Sequence, residues 1–310
     1  MYNFKKNTKL YIVENGNKYP IDVYSDISAS QTFDEQNHKQ KTLHRLHNLH
    51  DTASITNANP ANFSFTSPIN GCGILLSLGT EYSAEARLRS FDIYIESDYV
   101  IYKIQNCIIE NTVFNIERTS IVTISISGTG SKLYQVTNIP GVEVPEYTRE
   151  YIIISSLQVE MDQVLNNIAG IHIEYSNSIS WIDNTTLHES LTGEIAYPDN
   201  YVLTGRKVSG SITQFLTNDN LNTMGDTSRD SSLNIIIGDS NTSNILSFRM
   251  PSIVYTRRLN YDELINRVYD FRVNTNSGIL RPDYIKLSYI YDRAENLVED
   301  RLNNNIQIRS

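Results

Sequence analysis

The segment IVTISIS at residues 121–127 sets the strongest constraint on the fold. From Val122 onward, apolar branched residues alternate with threonine or serine. An extended chain of this kind is apolar on one side and polar on the other. A helix would scatter the same side chains around its whole surface, so the pattern reads as a half-buried β-strand. Residues 9–13, 91–96 and 171–175 alternate in the same way. Branched and aromatic residues fill these runs, and Asn, Gly, Ser and Asp punctuate them. The expectation is an all-β protein.

Helical patterning is thin. One helix is expected within residues 75–89, with 84–89 its best part. A short one is expected at 220–230. A third is expected at 291–303, with Asp292, Glu295, Glu299 and Arg301 on its polar side. Residues 138–147 (NIPGVEVPEY) read as a linker, because two prolines and a glycine disfavour both helix and central strand. This linker divides the chain near its middle.

Charge narrows the function classes. Lys and Arg number 26 against 35 Asp and Glu, a net charge of -9. A protein that wraps nucleic acid by neutralising phosphates needs a basic face instead. The balance is compatible with a surface along which nucleic acid passes without sticking. No apolar run approaches the roughly 18 residues of a membrane-spanning helix, so no membrane insertion is expected. The two cysteines, Cys72 and Cys107, are too few for a disulfide framework and read as reduced, half-buried thiols.

Motifs that carry chemistry are weak. Residues 128–132 (GTGSK) lack the spacing of a phosphate-binding loop and read as a hairpin turn. The sequons at Asn62 and Asn184 need a secretory context to matter. No nucleophile elbow supports a Ser-His-Asp set. The pairs Asp262–Glu263 and Glu299–Asp300 read as solvated faces, and Trp181 reads as core. His44, His47 and His50 fall three apart, yet no cysteine lies near them to complete a zinc site. No catalytic residue, metal or cofactor is assigned.

The halves of the chain resemble each other. Residues 10–13 match 157–159, 26–28 match 178–180, and 42–44 match 186–188. Residues 55–56 and 64–66 match 203–204 and 211–213. Residues 92–95 match 234–237, and 121–127 match 267–273 in position. The order is preserved throughout, which predicts two copies of one β domain.

These residues carry a resemblance to a known family. NTKLYIV at 7–13 and SDIS at 25–28 resemble the opening strands of the two-domain major tail tube proteins of long-tailed, siphovirus-type bacteriophages. NCIIEN at 106–111 and SGTGSKL at 127–133 resemble the closing strands of their first domain. NSISW at 177–181, LTG at 203–205 and SITQFLTND at 211–219 are similar to the second domain. The resemblance covers roughly residues 5–285. Ala29 departs from it, standing where an aromatic is usual in the first repeat, as Trp181 is in the second. The stretch 281–310 has no counterpart there.

The resemblance implies tandem β-sandwich or half-barrel domains at 1–140 and 148–285, each with one short helix, and a C-terminal extension at 286–310. It implies rings of three subunits with pseudo-sixfold symmetry, stacked into a hollow tail tube. The lumen would hold the tape-measure protein and then conduct phage DNA to the host. Further partners would be the tail terminator and tail-tip or baseplate proteins. The location would be the virion tail, assembled in the host cytoplasm, with no enzymatic activity.

The most unusual segment is 31–60, about 30 residues expected to lack a strand pattern, which is long for a connection in a compact domain. It carries Asp34, Glu35, His38, Lys39, Arg45 and His47. Its second-half equivalent, 183–200, carries Asp183, His188 and Glu189. In stacked rings these two loops are expected to make the ring-to-ring contacts. The alternative to a tube subunit is a distal-tail or receptor-binding β-sandwich that recognises carbohydrate, since Tyr and Asn suit sugar stacking and amide hydrogen bonds. An enzyme with paired carboxylates is a distant third.

Overall fold

A computed structural model describes residues 8–24, 26–38, 53–69, 74–80, 88–117, 121–144, 154, 156–182, 195–220, 227–238, 245–261, 264–273, 286–293 and 296–300. It is all-β, as the alternation requires. The first set of strands comprises β1 (Lys9–Glu14), β2 (Asn17–Ile21), β3 (Ser28–Ser30), β4 (Phe33–His38), β5 (Ala53–Ala58) and β6 (Ala61–Pro68). Helix α1 (Ile74–Thr80) follows, then β7 (Phe91–Ser97), β8 (Val100–Glu117), β9 (Thr123–Gly130), β10 (Lys132–Val136) and β11 (Val142–Glu143). The second set comprises β12 (Ser156–Met161), β13 (Gln163–Leu165), β14 (Ile168–Ile182), β15 (Asn200–Phe215) and β16 (Thr227–Gly238). Strands β17 (Ile245–Tyr261), β18 (Ile265–Val273), β19 (Lys286–Arg293) and β20 (Asn296–Asp300) complete it.

The two sets pair in the same order. In the first, β1 lies between β2 and β7, β7 pairs β8, and β8 pairs β9 and β10. Strand β9 then pairs β6, and β6 pairs β3. In the second, β12 lies between β13 and β16, β16 pairs β17, and β17 pairs β18 and β19. Strand β18 then pairs β15, and β15 pairs β14. The sets are joined where β8 pairs β14, from Asn111↔Ser176 to Glu117↔Gly170. The result is one continuous antiparallel run: β3, β6, β9, β8, β14, β15, β18, β17.

Strand β8 belongs to two layers. Its first part pairs β7 and β10, and its second part pairs β9 and β14. Between them Asn106 takes φ 52°, and the ladder with β9 shifts register between Ile109 and Asn111. Such a bulge bends a strand and lets it change sheets. Its alternation breaks there too: Cys107, Ile108 and Ile109 are all buried in succession.

The core lies between the long sheet and the outer strands β1, β7, β12 and β16. Leu10, Ile12 and Ile93 meet Phe63, Phe65, Ile124 and Ile126 in one apolar cluster that runs into the second half. Phe63 stands edge-on to Phe91 at 6.1 Å, and Phe114 stands edge-on to Phe248 at 5.0 Å and Tyr175 at 5.9 Å. Phe114 thus brings a first-half ring into the second half's core. Helix α1 buries Ile74, Leu75 and Leu78, and Arg89 ties it to β1 by bonding both Ser77 and the buried Glu14 carboxylate.

Several local expectations are corrected. The segment 291–303 is not a helix where it is described: β19 and β20 form a hairpin, and β19 lies along Ile245–Arg249 of β17. That is the station β10 holds on β8, so a free ladder edge overrides local helical patterning. Residues 128–132 form no hairpin. The chain runs straight past β8, from Thr129↔Ile108 to Lys132↔Gln105, with Ser131 donating to the Gln105 carbonyl at 2.8 Å. The linker folds back at Gly141, φ 105°, and β11 pairs parallel with β2, supported by Lys18–Glu143 at 2.6 Å. The helix at 75–89 covers Ile74–Thr80, and its expected best part, 84–89, falls mainly outside the described residues. Of the short helix expected at 220–230, residues 221–226 lie outside the described residues, Asn220 ends a 3-10 turn from Asn218, and 227–230 belong to β16. The segment 31–60 is no strandless loop: β4 and β5 form a regular hairpin, from Phe33↔Ala58 to His38↔Ala53.

Candidate assembly surface

The face of the long sheet opposite the core is built mostly from polar residues, many of them small. Following the ladders across, one row reads Ser28, Ser64, Ser127, Asn111, Ser176, Lys207. The next reads Thr66, Ser125, Val113, Glu174, Ser209, Arg272, Val254. A third reads Thr123, Asn115, His172, Ser211, Asp270, Thr256. Hydroxyls and amides bond along the rows: Thr66 to Ser125 at 2.9 Å, and His172 Nδ1 to Asn115 Oδ1 at 2.9 Å. The charges offset one another. Glu174 and Asp270 stand among Lys207, Arg258 and Arg272, and Arg258 Nε donates to Asp270 at 2.7 Å. The polar members of the strand alternation are therefore gathered onto one broad, nearly neutral surface.

The seam between the halves is closed by more than a ladder. Asn177 Nδ2 donates to the Ile109 carbonyl at 3.1 Å. Trp181 Nε1 donates to Thr129 Oγ1 at 2.9 Å, and that hydroxyl donates to Glu110 Oε1 at 2.7 Å. Tyr201 leans on Trp181 at 5.9 Å and donates its hydroxyl to the Leu88 carbonyl at 2.6 Å. Trp181 is half-buried, not core: it spans the two halves. Sequence reasoning missed Glu110, Thr129 and Tyr201, because nothing local marks a residue whose partner lies in the other half.

The long run ends in two edges that carry no ladder partner among the described residues. One is the side of β3 away from β6. The other is the end of β17, Arg258 to Tyr261, on the side away from β18. Leu259 and Tyr261 are exposed there.

The expected contact residues are only partly described. Asp34 is exposed on β4. Glu35 and His38 lie on the same strand, with side chains outside the described set. Lys39, Arg45, His47, Asp183, His188 and Glu189 lie outside the described residues, as do His44 and His50. The bases of the two loops do meet: Ala58 N–H donates to the Ala196 carbonyl at 2.8 Å, and Asn57 bridges Ala196. No cluster of metal-ligating side chains occurs among the described residues.

Burial and neighbouring charge act on groups of the outer layer and the core. Burial lowers the affinity of Lys103 for its proton, but Asp92 at 2.8 Å and the Tyr94 hydroxyl more than reverse this, and its pKa is raised. Burial pushes the Cys107 thiol well up. The thiol is fully buried and donates to the Ile104 carbonyl at 3.3 Å, so it is an inert core group rather than a half-buried one.

A β protein with a polar sheet face and open sheet edges among its described residues has the form of an assembly subunit. A family model described as the Bacteriophage Baseplate Tube Protein Family matches residues 1–287. The chain belongs to that family, and so is a tube-type structural component of the phage virion. None of the curated proteins matches this chain.

Proposed function

We propose that this protein forms rings that stack into a hollow tube of the phage tail, and that DNA leaves the capsid through it. The observation that carries the reading is the long antiparallel run with one strand order repeated, one polar face and two open ends. Open edges are a hazard in a monomer and a joining device in a ring. Three copies would each supply two similar units, at 1–140 and from 148 to at least 285. Duplication is supported by the shared pairing order. The position of β19 on β17 supports counting part of the segment 286–310 with the second unit.

The polar sheet face lines the lumen in this reading. Hydroxyls and amides with offset charges offer DNA phosphates neither lysine rows to hold them nor a strong opposing field. The tape-measure protein occupies the lumen first, and tail terminator and tail-tip or baseplate proteins cap the tube. Assembly takes place in the host cytoplasm. The two-domain major tail tube of siphovirus-type phages is the architectural model. The loops with Asp34, Glu35, His38, Lys39, Arg45 and His47, and with Asp183, His188 and Glu189, reach the adjacent ring; the joined bases at Ala58 and Ala196 support their acting together.

Negative-stain electron microscopy of the concentrated protein tests the proposal. Hollow rings or tubes with a threefold or pseudo-sixfold outline are expected. Single particles that bind glycans and never form rings, even with tail-tip proteins added, would move the carbohydrate-binding alternative to first place.

A further inference from the structure

The ladder that joins the two halves inside the molecule can be compared with its open edges. Equivalent stations in the two sets are set by a glycine packed against a phenylalanine on the facing strand. Gly128 on β9 faces Phe63 on β6, and Gly210 on β15 faces Phe271 on β18. A Cβ on Gly128 would lie 2.8 Å from the Phe63 ring, and one on Gly210 2.6 Å from the Phe271 ring. The pair is the same with its members exchanged. Phe63 thus corresponds to Gly210, and Gly128 to Phe271.

The ladders carry this equivalence outward. Ala29 faces Phe63, and Ile173 faces Gly210, so Ala29 corresponds to Ile173. Phe114 faces Ile124, and Leu259 faces Arg267, so Phe114 corresponds to Leu259. Across the seam Phe114 faces Ile173, Ile116 faces Ile171, and Asn115 faces His172. A second observation is independent of this register. Phe114 is 0% exposed beneath its partner strand, whereas Leu259 is 43% and Tyr261 75% exposed.

We propose that the end of β17 in one copy pairs antiparallel with β3 of the next copy, with Leu259 facing Ala29, Tyr261 facing Ile27 and Asn260 facing Ser28. This rests on the ring reading above and names the contact that closes the ring. The pairing continues the strand order of the long sheet without interruption and covers both exposed apolar side chains. It is head-to-tail, so it closes into a ring when the rotation per copy permits.

The test uses the full chain with Cys72→Ser, leaving the buried Cys107. Proteins carrying Ala29→Cys alone and Leu259→Cys alone are mixed under assembly conditions and oxidised with diamide. A covalent dimer is expected in the mixture, at about tenfold the yield of Ala29→Cys mixed with Val164→Cys, because pairing raises the effective concentration of the two thiols. Rings on the microscope grid without that dimer overturn the edge assignment and leave ring assembly standing. Absence of rings and dimer together defeats the ring reading and this contact with it. As a second measurement, Leu259→Lys/Tyr261→Lys should keep the wild-type unfolding midpoint and lose rings; retained rings also overturn the assignment.

Discussion

At the scale of single residues, burial decides behaviour that sequence leaves open. The Cys107 thiol stays protonated in the folded chain, while an unfolded thiol ionises from about pH 8.5. Above that pH the folded chain binds more protons than the unfolded one, so stability falls as pH rises. Cys107→Ala should remove up to about 1.4 kcal/mol per pH unit of that fall between about pH 8.5 and 9.5. Urea unfolding of both proteins at either end of the window checks it. Gly128 and Gly210 answer to close approach. A Cβ would meet the Ile108 carbonyl oxygen at 2.1 Å or the His172 carbonyl oxygen at 2.2 Å. These are backbone atoms held near ladders, which cannot swing aside. Gly128→Ala and Gly210→Ala should each destabilise by about 1–3 kcal/mol, read from the same titrations.

At the scale of elements, the strands were legible where alternation is clean. Of residues 121–127, those from Thr123 onward lie in β9, with Ile124 and Ile126 buried and Ser125 and Ser127 on the polar face. Strand β8 was less legible because it serves two sheets, and the buried run Cys107–Ile109 hides its period. Segment 291–303 was misread because its helical pattern is local, while the β17 edge that recruits β19 is distant in sequence. The match of residues 26–28 to 178–180 is likewise displaced: Ser28 faces Ser64, and Ser211, the sequence match of Ser64, faces His172 rather than Ser180. The β4–β5 hairpin suggests a clean test of the loop. Replacing residues 39–52 by Asn-Gly suits the two-residue turn such a hairpin prefers. The variant should fold with an unchanged far-ultraviolet spectrum and form rings that do not stack, as seen by electron microscopy.

At the scale of the whole molecule, the two halves share the ladder from β8 to β14, the Trp181–Thr129–Glu110 chain and the ring of Phe114. They should therefore unfold together. Trp181 is the single tryptophan and sits at the seam, so its fluorescence reports the join, while circular dichroism reports the strands. The two signals are expected to give one coincident transition in urea. Phe114→Ala should shift that transition by about 3–5 kcal/mol without splitting it, since the lost ring packs into both halves. Two separated transitions would mean that the halves are energetically independent.

What the sequence determined by itself was the local pattern: alternating strands, their order along the chain, the polar identity of one side of each strand, and weak self-similarity between halves. These depend on the period of two that an extended backbone imposes on neighbouring side chains. What only the tertiary structure decided was which strands pair, where β8 bends between layers, that β19 returns to β17, and that the polar sides of eight strands align into one surface. Those outcomes rest on partners far apart in the sequence, such as Tyr201 and Leu88 or Asn57 and Ala196. Strand periodicity says which way a side chain faces; only packing of the whole chain selects what it faces.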